Sequence, residues 1–343
     1  MKKITKLDNF IFYHKDSVFK AMEKLNNKDV SFLVIINRRQ ELLGTITDGD
    51  IRRHILKGKS LNESIEIAMK KKPVYSYIHE ENIHKKKLLS IPSIIKFLPV
   101  ITKAKKVKYI LLYEKDEINY IALVMAGGFG KRLGNKTKKI PKPLLKVGNK
   151  AILDLILKKI HYAGLKKIYI STHYLHQKIQ DHIKKKYKKN DIRIIYEKSP
   201  MGTAGCISMI NDTFENLIVI NGDVVSNIDI KSLLTYHHDS KNDITLTVAK
   251  YSYKIPFGLV ELNKSYQLVN IKEKPEIHFN VVSGIYCIKK SICNLVGNEY
   301  LDMTTLISNT IKLNKKIGVF PIHEYWKDVG NADDLIKAKN DFL

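Results

Sequence analysis

Cysteine is almost missing from this chain: 343 residues contain three, Cys206, Cys287 and Cys293, each in an apolar or strand-like setting. None belongs to a CxxC pair, so neither a disulfide framework nor a zinc site is supported. Long apolar runs are missing as well, and none approaches the length of a bilayer span. The opening residues, Met1-Lys2-Lys3-Ile4-Thr5-Lys6, run into charged sequence with no apolar stretch of leader type, so no signal peptide is expected. The expectation is a soluble, cytoplasmic chain. Acidic residues are in the minority: 34 Asp and Glu against 60 Lys and Arg leave a formal net charge of +26. So basic a balance raises nucleic acid or an anionic substrate as partner. The lysines, however, are spread along the whole chain, and only short runs stand out at 70–72, 85–87 and 184–186. A nucleic-acid surface would interleave a basic cluster with exposed aromatics, and no such cluster is found. Neither nucleic acid nor a membrane is expected as a partner, and most of the charge reads as solvated helix faces.

What is present is enough chain for two domains. From about residue 120 the pattern is strand, glycine loop, helix, strand. Tyr120 to Met125 is apolar without alternation, as in a strand buried on both faces. Helical spacing follows in Ile152, Leu155, Ile156 and Ile160, then strands at 167–171, 192–196 and 217–221. Strands alternating with helices imply a mostly parallel sheet with right-handed crossovers. Beyond Asp243 short strands crowd together (244–248, 258–261, 281–288) and read as a lobe grafted onto that core.

Residues 1–118 are organised differently. Val18, Ala21, Met22 and Leu25 share a helical face, 32–36 and 42–47 read as strands, and Asp48 is a candidate N-cap for a helix over 51–56. A weaker echo about 65 residues on predicts a helix near 93–97 and strands at 99–102 and 107–112. Two small αββα-like units in tandem follow, and the charged stretch 113–117 is the expected boundary. The first unit carries Gly44-Thr45-Ile46-Thr47-Asp48-Gly49-Asp50-Ile51-Arg52. This resembles the strand-to-helix signature of a cystathionine-beta-synthase (CBS) domain, where a Thr and an Asp three residues on hold an adenosine ribose; Thr47 and Asp50 match those positions. The second unit lacks the pair and is a degenerate repeat. The alternative is a module that only folds and dimerises, with Asp48 or Asp50 as a cap.

The strongest signal is Met125-Ala126-Gly127-Gly128-Phe129-Gly130-Lys131-Arg132-Leu133, leading on to Pro141-Lys142-Pro143. Glycines after a buried strand let backbone N–H groups approach phosphate oxygens and permit positive φ. Two common phosphate loops fail on spacing. A Walker A loop would need glycine, with four residues intervening, before Gly130-Lys131, and Met125 stands there. A dinucleotide fingerprint would continue Gly128 and Gly130 with glycine at 133, which is Leu. Further pieces follow in order: Pro200-Met201-Gly202-Thr203-Ala204-Gly205, Asn221-Gly222-Asp223, Phe257-Gly258-Leu259-Val260, Glu273-Lys274-Pro275, and Trp326-Lys327-Asp328. This ordered set resembles the sugar-phosphate nucleotidyltransferase (NDP-sugar pyrophosphorylase) superfamily across roughly 120–330. The implied architecture is α/β, with a Rossmann-like, GT-A-like mixed and mostly parallel sheet in residues 119–343, preceded by a tandem CBS module in 1–118.

The resemblance implies in-line attack by a sugar-1-phosphate oxygen on the α-phosphorus of a nucleoside triphosphate. Such chemistry rests on positioning and cationic stabilisation rather than on a protein nucleophile. Arg132, an always-charged planar fork, suits the triphosphate, and Lys142 suits the α-phosphate. Ala126, Gly127, Gly128, Gly130, Gly202, Thr203 and Gly205 match nucleotide-binding positions. Gly258, Glu273 and Lys274 match sugar-phosphate positions, and Glu261 is a weaker candidate there or an exposed strand residue. Asp223 and Asp328 end strand-like segments, and their hard oxygens suit Mg²⁺. Tyr286 and Trp326 read as packing, and His161, His173 and His176 as solvated residues without metal-ligand spacing.

A CBS pair ahead of a compact nucleotidyltransferase is similar to the bacterial enzymes that activate glucosamine 1-phosphate with GTP for legionaminic acid in surface or flagellar glycans. The implied partners are GTP and the sugar phosphate, an adenine- or guanine-nucleotide effector at the CBS pair, and further copies of the chain. The alternatives are mannose-1-phosphate guanylyltransferase, another NDP-sugar synthetase, and a non-catalytic regulatory paralogue.

Overall fold

A computed structural model of the chain describes residues 1–27, 30–114, 119–188 and 190–341. Its largest sheet has seven strands in the spatial order Asp191–Tyr196, Lys167–Thr172, Tyr120–Met125, Asn216–Asn221, Glu276–Lys289, Ile244–Lys254, Ile317–Ile322. The first four are parallel. Glu276–Lys289 runs against both of its neighbours, and the outer pair is parallel again. The mixed, mostly parallel sheet expected from the apolar runs is therefore present. Alternation along the central strands sends Ala122, Val124, Ile218 and Ile220 to one face, where Ile156 and Ile160 of the helix Ile152–Tyr162 cover them. Ile121, Leu123, Leu217 and Val219 face the other way, onto Ile207, Met303 and Leu306. The chain leaves Tyr120–Met125 toward one edge and returns to Asn216–Asn221 on its opposite side. That reversal opens a crevice at the carboxyl ends of the two strands.

The lobe after Asp243 is a continuation of core strands rather than a graft. Ile244–Lys254 and Glu276–Lys289 keep pairing from Val248–Val282 out to Lys254–Glu276, beyond the packed core. At the far end Leu259–Leu262 and Leu268–Lys272 form an exposed antiparallel hairpin. The segments 244–248 and 281–288 were the buried, apolar halves of these long strands; the solvated halves lack the uniform hydrophobicity that marks a core strand.

In the N-terminal part, the helix Val18–Asn27 lays Val18, Ala21, Met22 and Leu25 on Leu33 and Ile35 of the strand Phe32–Ile36. The opposite face of that strand, Phe32, Val34 and Ile36, meets the second unit. There Phe32 stacks on Phe97 at 3.8 Å between ring centroids and 5° between planes, a contact worth about 0.5–1.5 kcal/mol beyond its area. The echo is real, but its helix is Glu81–Leu89, not 93–97; Ile95 to Phe97 begin the strand Ile95–Ile101. Pro92 and the alternation of inward Ile95 and Phe97 with Leu98 and Val100 on the other face suit a strand. The lysines at 85–87 leave His84 and Leu88 as that helix's buried residues, too few to show a face in the sequence. The boundary stretch 113–117 falls mainly on residues 115–118, outside the described residues.

Helix Asp48–Leu56 fastens the two parts together. Its N-cap is Thr47 rather than Asp48. Asp48 instead accepts from Arg52 Nε at 2.6 Å, while Arg52 Nη2 donates to Glu324 at 2.7 Å and Nη1 to the Pro321 carbonyl. The guanidinium lies 3.8 Å over the Phe320 ring and is 1% exposed. Burial pushes the Asp48 carboxyl up. Burial would also raise Glu324, but the Arg52 charge beside it leaves that carboxyl below its ordinary value. The three cysteines are buried and free, and burial pushes the Cys206 and Cys293 thiols up to about 12.

Candidate active site

The crevice is built first by the turn after Met125. Ala126 donates its N–H to the Ser171 carbonyl at 2.8 Å, which holds the turn against the neighbouring strand. Ala126, Gly127 and Gly128 then line a cleft of about 310 Å³, a volume within the range of small-ligand sites. A Cβ on Gly128 would meet nothing within 4 Å. Gly130 lies outside the lining: its φ is +64°, and a Cβ there would come 2.9 Å from Thr137 Cγ2 and 3.4 Å from Lys142 Cβ. Glycine at 130 therefore serves the turn and the close approach of Lys142.

The second central strand contributes Asn221-Gly222-Asp223. Gly222 N–H bonds the Met125 carbonyl at 2.8 Å and ties the two strand ends together. The strand Val224–Ser226 pairs antiparallel with Trp326–Asp328, with Val224 opposite Asp328. Val329 N–H donates to the Asp223 carbonyl at 3.1 Å. This ribbon brings Asp223 and Asp328 together. Lys142 reaches between them from a short 3₁₀ turn flanked by Pro141 and containing Pro143. Lys142 is 9% exposed, and its ammonium lies 2.5 Å from Asp223 Oδ2 and 3.8 Å from Asp328 Oδ1. Burial, then the Asp223 charge, push the Asp328 carboxyl up, against the pull of Lys142 and Arg132. Arg132 is exposed at the mouth, with Nη1 3.7 Å from where a Cβ on Gly330 would sit.

Two buried oxygens here have no partner, Asp223 Oδ1 and Asn221 Oδ1. Unpartnered oxygens beside a second carboxylate fit a hard divalent cation. Among the described residues no group of three or more His, Cys, Asp or Glu side chains is arranged to hold a metal ion. The two aspartates alone could supply only part of a cation's ligands, the rest falling to phosphate oxygens.

The far wall is the loop 200–205. Gly202 and Thr203 line the cleft. Gly202 has φ +73°, and a Cβ there would lie 2.5 Å from the Leu301 carbonyl. Thr203 N–H donates to Asp302 Oδ1 at 3.3 Å, and its hydroxyl accepts from Met303 N–H at 2.7 Å. Gly205 does not line the cleft; a Cβ would sit 2.4 Å from the Glu299 carbonyl, so packing explains it. Glu197, which the sequence reading passed over, is 4% exposed and accepts from Ser171 Oγ and from Met201 N–H, thereby setting the loop. Its signal was available: an acidic residue at the carboxyl end of a strand, directly before the glycine loop. Asp302 and Tyr300 were also passed over, and only the fold brings them there. His173 is half-buried behind the cleft rather than solvated, with Nδ1 2.8 Å from the Glu197 carbonyl and its ring against Phe129.

Gly258, Glu273 and Lys274 are not brought to this cleft. They sit on the exposed lobe, where Lys274 has φ +44° and lies 3.9 Å from Glu273. Glu261 is paired there with Lys272 at 2.8 Å. In the N-terminal part, Thr47 Oγ1 donates to Asp50 Oδ2 at 2.8 Å and accepts from Asp50 N–H, a capping box, while Arg53 holds the other Asp50 oxygen at 2.5 Å. The gap beside Thr47 measures about 30 Å³, and Tyr236 of the helix Ile230–Asp239 walls it. No helix among the described residues is long and apolar enough to cross a membrane.

Comparison with known proteins identifies the family. The Nucleotidyl transferase family model matches residues 121–343, and the CBS domain model matches 3–57. A D-glycero-alpha-D-manno-heptose 1-phosphate guanylyltransferase from Aneurinibacillus thermoaerophilus is 28% identical over 64% of this chain and 97% of its own length. A bifunctional protein GlmU from Methanococcus maripaludis is 29% identical over 65% of this chain but 54% of its own length. A mannose-1-phosphate guanylyltransferase catalytic subunit beta from Dictyostelium discoideum is 24% identical, covering 65% and 64%. The chain thus spans between about half and nearly all of these curated relatives. Among solved structures, HddC from Yersinia pseudotuberculosis shares the fold, with a TM-score of 0.52 and 24% identity over 65% of this chain and all of that one.

Proposed function

The chain belongs to the nucleotidyl transferase family, and from that premise we propose that it transfers the guanylyl group of GTP to glucosamine 1-phosphate, releasing pyrophosphate. The observation that carries the reading is the convergence of Lys142, Asp223 and Asp328 beneath the glycine turn, at the crevice between the two central strands. The names of two relatives, both sugar-1-phosphate guanylyltransferases, support guanosine as the base. The acceptor rests on the order of modules, a CBS pair ahead of a compact transferase, and so does a place in legionaminic acid synthesis. The same names favour mannose or heptose 1-phosphate as a second reading of the acceptor.

In this reading an oxygen of the sugar phosphate attacks the α-phosphorus, the bond to the bridging oxygen breaks, and pyrophosphate leaves with that electron pair. The attacking oxygen is already anionic at neutral pH, so no side chain has to accept a proton. Lys142 and Arg132 supply fixed positive charge from the base and the mouth of the cleft, where it counts most in the transition state. Gly127 and Gly128 leave backbone room for phosphates, and Gly202 and Thr203 shape the space for the nucleoside. Asp223 and Asp328 would hold a divalent cation, Mg²⁺ in this reading, which when bound offsets phosphate charge. Gly258, Glu273 and Lys274 on the exposed lobe are assigned to the sugar phosphate. The N-terminal pair, bounded at 118, is assigned to regulation and to association of chains.

The test is pyrophosphate release across GTP, dTTP, UTP, CTP and ATP against glucosamine, N-acetylglucosamine, glucose, mannose and heptose 1-phosphates. A dominant GTP–glucosamine signal is expected. A dominant GTP–mannose or GTP–heptose signal transfers the assignment to the second reading, and silence throughout overturns the transferase reading.

A further inference from the structure

A cavity larger than the catalytic cleft lies elsewhere among the described residues. A space of about 890 Å³ opens between the N-terminal module and the catalytic half. Leu25 and Val30 wall it on one side; Leu155, Tyr162 and the segment 227–232 wall it on the other. It adjoins the 30 Å³ gap at Thr47, and Ser31, Asp48 and Ser232 border both.

The charges around it are not balanced. Among the described residues three carboxylates line the space, and each is committed elsewhere. Asp48 and Glu324 are held by Arg52 at 2.6 and 2.7 Å. Asp229 caps the helix Ile230–Asp239, accepting from Lys231 N–H at 3.0 Å and Ser232 N–H at 3.1 Å. Lys150, Lys158 and Lys159 also line the space, and among the described residues their ammonium groups have no hydrogen-bond or ion-pair partner. Lys158 lies 5.9 Å from the Tyr162 ring centroid. Lys159 is half-buried, and burial lowers its pKa although Asp229 and Glu324 pull the other way. Uncompensated ammonium groups around a cavity partly lined by Leu155, Ile228 and the largely exposed ring of Tyr162 match a phosphate-bearing ligand with a flat apolar part.

We propose that this junction cavity binds a nucleotide, with Lys158 and Lys159 on its phosphates, and that occupancy is transmitted to the catalytic aspartates. The route is the antiparallel ribbon. One strand runs from Asp223 through Val224–Ser226 to Asn227; the other runs from Tyr325 through Trp326 to Asp328. Asn227 and Tyr325 both line the cavity, and Asn227 N–H bonds the Tyr325 carbonyl at 2.8 Å. Asp223 and Asp328 close the other end, about three residues or roughly 10 Å away along the strands. A ligand that favours one setting of the cavity end biases the metal-binding end by the same coupling free energy, in both directions. This transmission rests on the catalytic reading above; the binding does not.

The experiment is calorimetric titration of the full chain with ADP and with GTP in EDTA, on the wild type, Lys158→Ala/Lys159→Ala and Lys142→Ala. Two nucleotides per chain are expected in the wild type. The double variant should lose one, with at least tenfold weaker binding at the lost site, and Lys142→Ala should keep the junction site. Binding of a single nucleotide that the lysine pair does not affect overturns the site. For transmission, added ADP should change wild-type turnover severalfold and leave the double variant, with its normal basal rate, unaffected; an equal response in both overturns it. If no substrate pair turns over, the transferase reading falls while the stoichiometry still decides the cavity.

Discussion

Removing the guanidinium of Arg52 gives the sharpest test of how the two parts are joined. Arg52 is 1% exposed and sits between Asp48 and Glu324, with its plane on Phe320. Arg52→Met keeps most of the side-chain volume but leaves two carboxylates facing each other without a cation. Breaking a buried pair in this way costs about 3–5 kcal/mol, a large share of the roughly 5–15 kcal/mol that stabilises an ordinary domain. The triple variant Asp48→Asn/Arg52→Met/Glu324→Gln removes all three charges together and should recover most of that loss, because the penalty comes from the uncompensated carboxylates. Urea unfolding of the full chain, followed by circular dichroism, reads both. A single variant within about 0.5 kcal/mol of wild type would show the carboxylates to be solvated in solution and would refute the buried triad. A triple variant as unstable as the single one would place the loss in packing on Phe320 instead of in charge.

Asp223→Asn should still fold, since Asn keeps the shape and can leave an oxygen facing Lys142 in place of Oδ2, yet lower kcat by about 100- to 1000-fold; Mg²⁺-dependent pyrophosphate release near the wild-type rate would exclude the metal role. Gly202→Ala should cost about 1–2 kcal/mol for its left-handed φ and more for a Cβ placed 2.5 Å from the Leu301 carbonyl, read as a lower Tm together with a raised KM for the nucleotide. His237 is 1% exposed, bonded to Thr245 and Asn216, and burial lowers its pKa from 6.5 to about 4. Between pH 6.5 and 4 the unfolded chain therefore binds a proton that the folded chain refuses, so stability should fall as pH falls through that window, by about 3 kcal/mol in full. Urea melts from pH 4 to 7 check this, and His237→Gln should flatten the His237 contribution; an unchanged slope counts against it.

The sequence was most legible where chemistry is local. A strand followed by Gly127, Gly128 and Gly130, a lysine between two prolines, and a glycine loop at 202–205 each state a requirement that neighbouring residues can express. Those segments did supply the turn, the cation and one wall of the cleft. It was less legible for Gly130 and Gly205, whose lack of a side chain answers to Thr137, Lys142 and the Glu299 carbonyl rather than to a ligand. The helix Glu81–Leu89 was hidden by its own lysines, because a face with few buried residues leaves little period to detect. Thr47 and Asp50 carried two meanings in the sequence, a ribose pair or a helix cap, and their mutual hydrogen bonds form the cap.

By itself, then, the sequence determined the class of sheet, the order of the glycine loops and the identity of Lys142, Asp223 and Asp328 as a candidate set. Short-range steric and charge requirements leave their mark in consecutive residues. What only the tertiary structure decided is everything that depends on pairing distant segments. The ribbon between Val224–Ser226 and Trp326–Asp328 makes one site of two aspartates. Arg52 finds Glu324 and Pro321 across the module boundary. The lysines of the helix Ile152–Tyr162, ordinary surface charge in so basic a chain, line a cavity where, among the described residues, the carboxylates Asp48, Asp229 and Glu324 are bonded to other groups. Such compensation is a property of which groups end up within a few ångströms, and sequence spacing does not encode it.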